Sequence, residues 1–274
     1  MDLSKLRLEA CHPDSPQCLS SLLDAHPDAS WPIRDLLLTF QDIWKVLPEQ
    51  LKINNDTVVQ NLRSQVKSIT PSIPHLIETD SRPALIDIQS GRNLSHAAIR
   101  NFVQSFRIPN LTSKHLDRKP RVAVILPNGP LLALAVLAVA NAYTIVPMAS
   151  NAAPEQLHMD MDQVRADAVL ALEGDIPKLQ LETGQRPVYA VQPKDDLTFS
   201  LVSSHHHSSE AQTTLAPNTG DDIAVILFTS GTSGTKKLVP ITTYNLIAGT
   251  VFTMESVELS SSDCCLNMMP LNHV

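Results

Sequence analysis

The chemistry-bearing residues of this chain crowd into one short stretch. Thr229, Ser230, Thr232, Ser233 and Thr235 interleave with Gly231 and Gly234, and Lys236 and Lys237 follow at once. Hydroxyls donate hydrogen bonds to anionic oxygens. Glycines let backbone N–H groups approach an anion closely. A lysine ammonium adds a compact positive charge. Together these are the parts needed to hold a polyphosphate. The chain has only 8 Gly in 274 residues, so two glycines placed this close mark a built loop rather than a casual turn. The common nucleotide-binding pattern, G-x-x-x-x-G-K-[ST] followed by a helix, does not fit. The glycines are too close together, and Leu238-Val239-Pro240-Ile241 follows the lysines.

Other candidate clusters carry less. His205, His206 and His207 form a run that could hold a metal, but without distant ligands it reads as a solvated loop. Cys11, Cys18, Cys264 and Cys265 lack metal-ligand spacing. The pair Cys264-Cys265 lies in an apolar run and reads as small buried residues. No metal site is assigned.

The loop needs elements to position it. Asp221-Asp222 leads into the apolar run Val225-Ile226-Leu227-Phe228, a strand, and a second β-prone run follows the lysines. Upstream, Arg121–Leu126 reads as a strand and Pro127-Asn128-Gly129-Pro130 as a turn. A helix apolar all round runs from Leu131 to Ala142, and a strand returns at Thr144–Met148. Pro130 suits a first helical turn. Strand, buried helix, strand is a βαβ unit and requires a parallel sheet. Pro154 opens a helix carrying Leu157, Met161 and Val164, and Ala168–Ala171 and Val188–Val191 read as further strands. Pro83–Asp87 is a short strand, Ser90–Asn93 a turn, and Ser95 caps a helix with a stripe at Ala98, Ile99, Phe102, Val103 and Phe106. Residues 192–222 read as a polar loop, and Cys264–Val274 as a strand entering a loop. Residues 1–72 carry two helical stripes, one behind Asp35 and one from Val58 to Ile69, and read as a helical N-terminal extension.

The run Phe228-Thr229-Ser230-Gly231-Thr232-Ser233-Gly234-Thr235-Lys236-Lys237-Leu238-Val239 resembles the phosphate-binding loop of the adenylate-forming, or AMP-binding, superfamily. That pattern reads approximately [YF]-T-S-G-[ST]-[ST]-G-x-P-K-G-V. Lys236 stands where Pro is usual and Leu238 where Gly is usual, so the matching lysine is Lys237. Pro83–Asp87 with Gly91-Arg92, and the string from Arg121 to Ala142, resemble the superfamily's earlier segments. Met269-Pro270-Leu271-Asn272-His273 is similar to its P-[LM]-x-H element, which implies that His273 lines the substrate pocket. The style of the motifs is nearest to fungal nonribosomal-peptide-synthetase-like proteins.

The resemblance implies an α/β fold: the N-terminal part of an adenylate-forming enzyme, with mostly parallel sheets flanked by helices, over residues 73–274. It implies ATP-dependent activation of a carboxylic acid as an acyl-adenylate, within a nonribosomal-peptide-synthetase-like or acyl-CoA-synthetase-like enzyme. It implies ATP and Mg²⁺ at Thr229, Ser230, Gly231, Thr232, Ser233, Gly234, Thr235 and Lys237. In a full-length context it implies phosphopantetheine or CoA as acyl acceptor, and a carrier domain as partner. The superfamily's adenine loop, ribose Asp and lid Lys have no match before Val274. The expectation is therefore an incomplete domain with no assigned catalytic residue, and the alternative is a truncated, inactive remnant acting at most as a binding module. An unrelated NTPase is the remaining alternative.

The totals narrow the partners. A net charge of -7 argues against a nucleic-acid-binding surface. Leu131–Ala140, the longest apolar segment, is too short to span a bilayer, and the N-terminus lacks the apolar core of a signal peptide. A cytoplasmic, reducing setting is expected.

Overall fold

A computed structural model of the chain describes residues 72–111, 117–183, 186–203, 215–229 and 236–272. The two helical stripes of residues 1–72 and the run His205–His207 lie outside them, apart from Ser72. The chain divides into two compact units. One comprises Ser72–Asn218, Asp222–Thr243 and Cys265–Val274; the other comprises Met1–Pro71, Thr219–Asp221 and Tyr244–Cys264.

The first unit is built on a seven-stranded sheet. Its strands are β3 (Arg121–Leu126), β4 (Thr144–Ala149), β5 (Ala168–Leu172), β6 (Val188–Pro193), β7 (Phe199–Ser203), β8 (Ile223–Thr229) and β9 (Lys237–Thr242). Their order is β7-β6-β5-β3-β4-β8-β9. The five inner strands are parallel, and β7 and β9 run antiparallel along the two edges. A separate antiparallel ribbon pairs β1 (Pro83–Ile86) with β2 (Asn93–Ser95). Gly91 makes its turn with φ +69, a conformation that a side chain disfavours.

The apolar runs become strands because both faces of the sheet are covered. Val122 to Ile125, Ile145, Val146 and Ala168 to Ala171 are buried almost without exception. Helix α3 (Pro154–Val164) lays Leu157, Met161 and Val164 on one face, against Ala123, Ile125, Val146, Met148, Val169 and Ala171. Helix α2 (Pro130–Ala140) contacts β3, β4 and helix α1 (His96–Ser105), and adds no residue to that cluster. Chain travel explains this. Passage from β3 to β4 goes one way along the sheet and from β4 to β5 the other, so right-handed crossovers put α2 and α3 on opposite faces. Helix α2 needs its all-apolar surface because α1 covers what the sheet does not.

Polar side chains close the element ends. Ser95 Oγ accepts from the Ala98 N–H at 3.1 Å, capping α1. Pro130 takes the first turn of α2, behind Gly129 at φ +149. The far end of α2 is tied by Asn218, whose Nδ2 donates to Ala140 O and Tyr143 O at 2.9 Å each. Asp167 accepts from Arg118 at 2.6 and 3.2 Å and from the Arg121 N–H at 2.7 Å, joining the starts of β3 and β5. Tyr189 donates to Pro109 O at 2.7 Å, and burial, with Tyr143 beside it, pushes its phenol up to about 12.

Three expectations need correction. Phe199–Ser203, inside the stretch read as a polar loop, is the antiparallel edge strand β7. Residues 264–272 form no strand. Cys264 and Cys265 are exposed thiols rather than buried small residues. The second unit's described part is dominated by helix α4 (Thr243–Ser256), whose first residue belongs to the sheet unit; Leu259 N–H bonds back to Met254 O at 2.8 Å beyond its end.

Candidate anion-binding hairpin

The parallel strands all end at the same edge of the sheet. The turn at 127–129 leaves β3 there, and β8 ends there at Thr229. The carboxyl edge beside a reversal in strand order is where open α/β sheets collect ligands. Strands β3 and β8 are separated by β4 alone, so their ends stand roughly 10 Å apart at normal strand spacing.

Strands β8 and β9 form an antiparallel hairpin, and Thr229 and Lys237 are its last cross-strand pair. Residues 230–235 lie outside the described residues. Thr229 and Lys237 therefore frame the mouth of the loop that the sequence picks out. Strand alternation decides which lysine serves which face. Phe228 and Leu238 are cross-strand partners packed against the α3 face. One position along, Thr229 and Lys237 must point to the other face. Lys237 is exposed and has no ion-pair partner among the described residues.

Lys236 is committed differently. Its Nζ lies 2.6 Å from Asp160 Oδ2 on α3, and 5.5 Å from the centre of the Phe228 ring. Its carbonyl accepts from Gln163 Nε2 at 2.7 Å. Asp160 also accepts from Gln156 Nε2 at 2.7 Å, and its side chain is only 7% exposed. The adjacent lysines are thus one structural cation and one exposed cation. The sequence singled out Lys237 by motif; it held no signal for Asp160, which lies 76 residues upstream.

A second tie at this edge involves Asn128. Its Oδ1 accepts from the Leu271 N–H at 3.0 Å, and its Nδ2 donates to Met269 O at 3.4 Å. The turn after β3 thereby holds the segment that precedes His273. His273 itself lies outside the described residues. Asn128 was read only as part of a turn. Among the described residues, no group of three or more His, Cys, Asp or Glu is placed to hold a metal, and no helix is long and apolar enough to cross a membrane.

A profile of the AMP-binding enzyme family matches residues 78–274. The chain belongs to that family. Among AMP-binding relatives, it is 45% identical over 116 residues to the peroxisomal long chain acyl-CoA synthetase 6 of Arabidopsis thaliana, a match covering 42% of this chain and 15% of that protein. It is 26% identical over 153 residues to nonribosomal peptide synthetase 2 of Cochliobolus heterostrophus, covering 55% of this chain and 3% of that protein. The fold is similar to the crystal structure of ATP-bound MatB from Rhodopseudomonas palustris, with a TM-score of 0.52 and 18% identity over 72% of this chain and 39% of that one. The chain thus spans only a small part of the curated AMP-binding relatives it matches. The mostly parallel sheet flanked by helices is the architecture the sequence motifs implied.

Proposed function

We propose that this chain supplies the polyphosphate-binding part of an enzyme that activates a carboxylic acid as its acyl-adenylate. The observation that carries the reading is the hairpin mouth: Thr229 paired with an exposed Lys237 at the carboxyl edge of a parallel sheet, next to the turn that holds Met269–Leu271. In the reaction a carboxylate oxygen attacks the α-phosphorus of ATP, the bond to the β-phosphate oxygen breaks, and pyrophosphate leaves with its charge. Lys237, the hydroxyls of Thr229, Ser230, Thr232, Ser233 and Thr235, and the N–H groups at Gly231 and Gly234 neutralise charge on the β- and γ-phosphates. Mg²⁺, travelling with the nucleotide, shares that load. His273, which the motif resemblance puts on the carboxylate side, follows the Met269–Leu271 segment that Asn128 holds. A thiol of CoA or of a carrier-bound phosphopantetheine then attacks the acyl carbon, the bond to the phosphate oxygen breaks and AMP leaves; the acyl-CoA synthetase relative supports the first acceptor.

The test is ATP–pyrophosphate exchange across a panel of carboxylic acids, measured on an enzyme that carries this segment together with an adenine loop, a ribose Asp and a lid Lys. Lys237→Ala is expected to slow exchange about 10²-fold, as loss of one preorganised charge donor does elsewhere. Exchange at the parent rate after that substitution would refute the assignment of Lys237. Adding CoA and, separately, a phosphopantetheinylated carrier identifies the acceptor by which thioester forms.

A further inference from the structure

Two lysines stand side by side at the start of β9, and only one can face the nucleotide. A one-residue slip of a strand exchanges its two faces. Slipping β9 by one would turn Lys237 towards α3 and Lys236 towards the anion. The β9 side chains resist such a slip weakly. The strand is at a sheet edge, and its residues from Leu238 to Thr242 are half-buried or exposed rather than buried. Its pairing with β8 already carries an irregularity between Ile223 and Val225. Leu238, packed against the α3-side cluster, opposes it, and the stronger hold is polar. Asp160 is a buried carboxylate whose cationic partner is Lys236 at 2.6 Å. Gln163 holds the Lys236 carbonyl, and Gln156 holds the Asp160 carboxylate, so both ends of the ion pair are braced from the same helix. A buried charge stripped of its partner is costly, which makes any register that removes Lys236 from Asp160 unfavourable.

We propose that Asp160 and Lys236 form a register pin, a positioning pair that holds β9 so that Lys237 faces the nucleotide. A buried polar contact that selects one register among several is the best-attested use of such groups. The pin rests on the adenylation reading in one respect only, that Lys237 is the lysine meeting the phosphates. Lys236 itself does not touch substrate.

The experiment is brief acylation of the folded protein with an amine-reactive ester, quantified at Lys236 and Lys237 by peptide mass spectrometry, with and without MgATP. In the parent protein Lys237 should react about tenfold faster than Lys236, whose amine is held on a carboxylate and over a ring. In Asp160→Asn, which preserves the size of the side chain, the two rates should converge to within about twofold, the KM for ATP should rise about tenfold, and kcat should fall about tenfold because a misplaced Lys237 no longer meets the leaving pyrophosphate. Lys236→Arg, which keeps the charge, should behave as the parent. Thermal unfolding checks that each variant is folded. Should Asp160→Asn fail to unfold cooperatively, Lys236→Gln replaces it, read by the KM and by MgATP protection of Lys237. An unchanged labelling ratio with an unchanged KM in Asp160→Asn overturns the pin; if Lys236→Gln is the variant used, unchanged KM and protection overturn it. Absence of MgATP protection at Lys237 in the parent overturns the adenylation reading instead, and the labelling ratio then still decides the pin.

Discussion

Asn218→Ala should remove much of the fold's stability without touching the hairpin. Asn218 lies in an irregular segment, yet it is only 4% exposed. Its Nδ2 is the donor to two carbonyls at the end of α2, Ala140 O and Tyr143 O, both at 2.9 Å. Its own N–H bonds to Asn141 O at 2.6 Å and survives the substitution. Alanine leaves two carbonyls at a buried helix end without that donor, and each unsatisfied buried group costs about 1–3 kcal/mol. The Oδ1 of Asn218 has no hydrogen-bond partner among the described residues, and its removal gives back part of that cost. A net loss of about 3 kcal/mol follows, which for a fold of this size lowers the thermal midpoint by about 6–12 °C. Asn218→Asp sharpens the test. Its carboxylate would face two carbonyl oxygens in a buried site, so its pKa must rise on folding. A raised folded pKa gives stability that is present at acid pH and lost as pH rises. The Asp variant should therefore be less stable than the Ala variant at neutral pH and approach or pass it in acid. Circular dichroism melts over a pH series measure both. A midpoint shift of under about 2 °C for Asn218→Ala, or an Asp variant insensitive to pH relative to Ala, would refute the account.

The remaining expectations are simpler. Tyr189 has its phenol raised to about 12 by burial, so the stability it contributes is present below about 10 and lost as pH climbs between the two values; melts across that window should show the loss, and Tyr189→Phe should shrink it. Ser95→Ala removes the cap on α1 and should cost about 1 kcal/mol, seen as a midpoint drop of about 2–4 °C. Cys264 and Cys265 are exposed, so iodoacetamide should modify both in the folded protein; modification only after denaturant would contradict their placement.

The parallel sheet was legible because a strand buried on both faces leaves a continuous apolar run, and Arg121–Leu126, Thr144–Ala149 and Ala168–Leu172 all carry one. The hairpin's strands were legible from the apolar run before Thr229 and the β-prone run after Lys237. Strand β7 was not. An edge strand buries half its residues at most, and Phe199-Ser200-Leu201-Val202-Ser203 alternates too briefly beside a Ser- and His-rich stretch to stand out. The Cys264–Leu266 run looked like a strand because local apolar content reports on burial only when a partner exists to cover it. Motif spacing singles out Lys237, which the structure leaves exposed at the end of the hairpin, whereas Asp160, Asn128 and Asn218 act across distant segments. No local pattern marks a carboxylate or amide whose partner is set by the fold.

The seam between β4 and β8 closes late in folding. The strands β3, β4, β5 and β6 are joined in sequence by short crossovers, but β8 reaches β4 only after nearly the whole of that series has been laid down. Their ladder is recorded at Ile145↔Val225, supplemented by Thr144 Oγ1 donating to Ile223 O at 2.6 Å. Closing so long an intervening loop is entropically slow, so the β8–β9 hairpin is expected to join the sheet last and to detach from it first. Amide hydrogen exchange would then find the backbone of β8 opening at a lower free energy than that of β3, in a motion that leaves the other strands paired. On the proposed function, a nucleotide held between Thr229 and Lys237 would bind only the attached state. It would slow exchange along β8 and β9 selectively, and the hairpin would report occupancy through its own protection before any chemistry occurs.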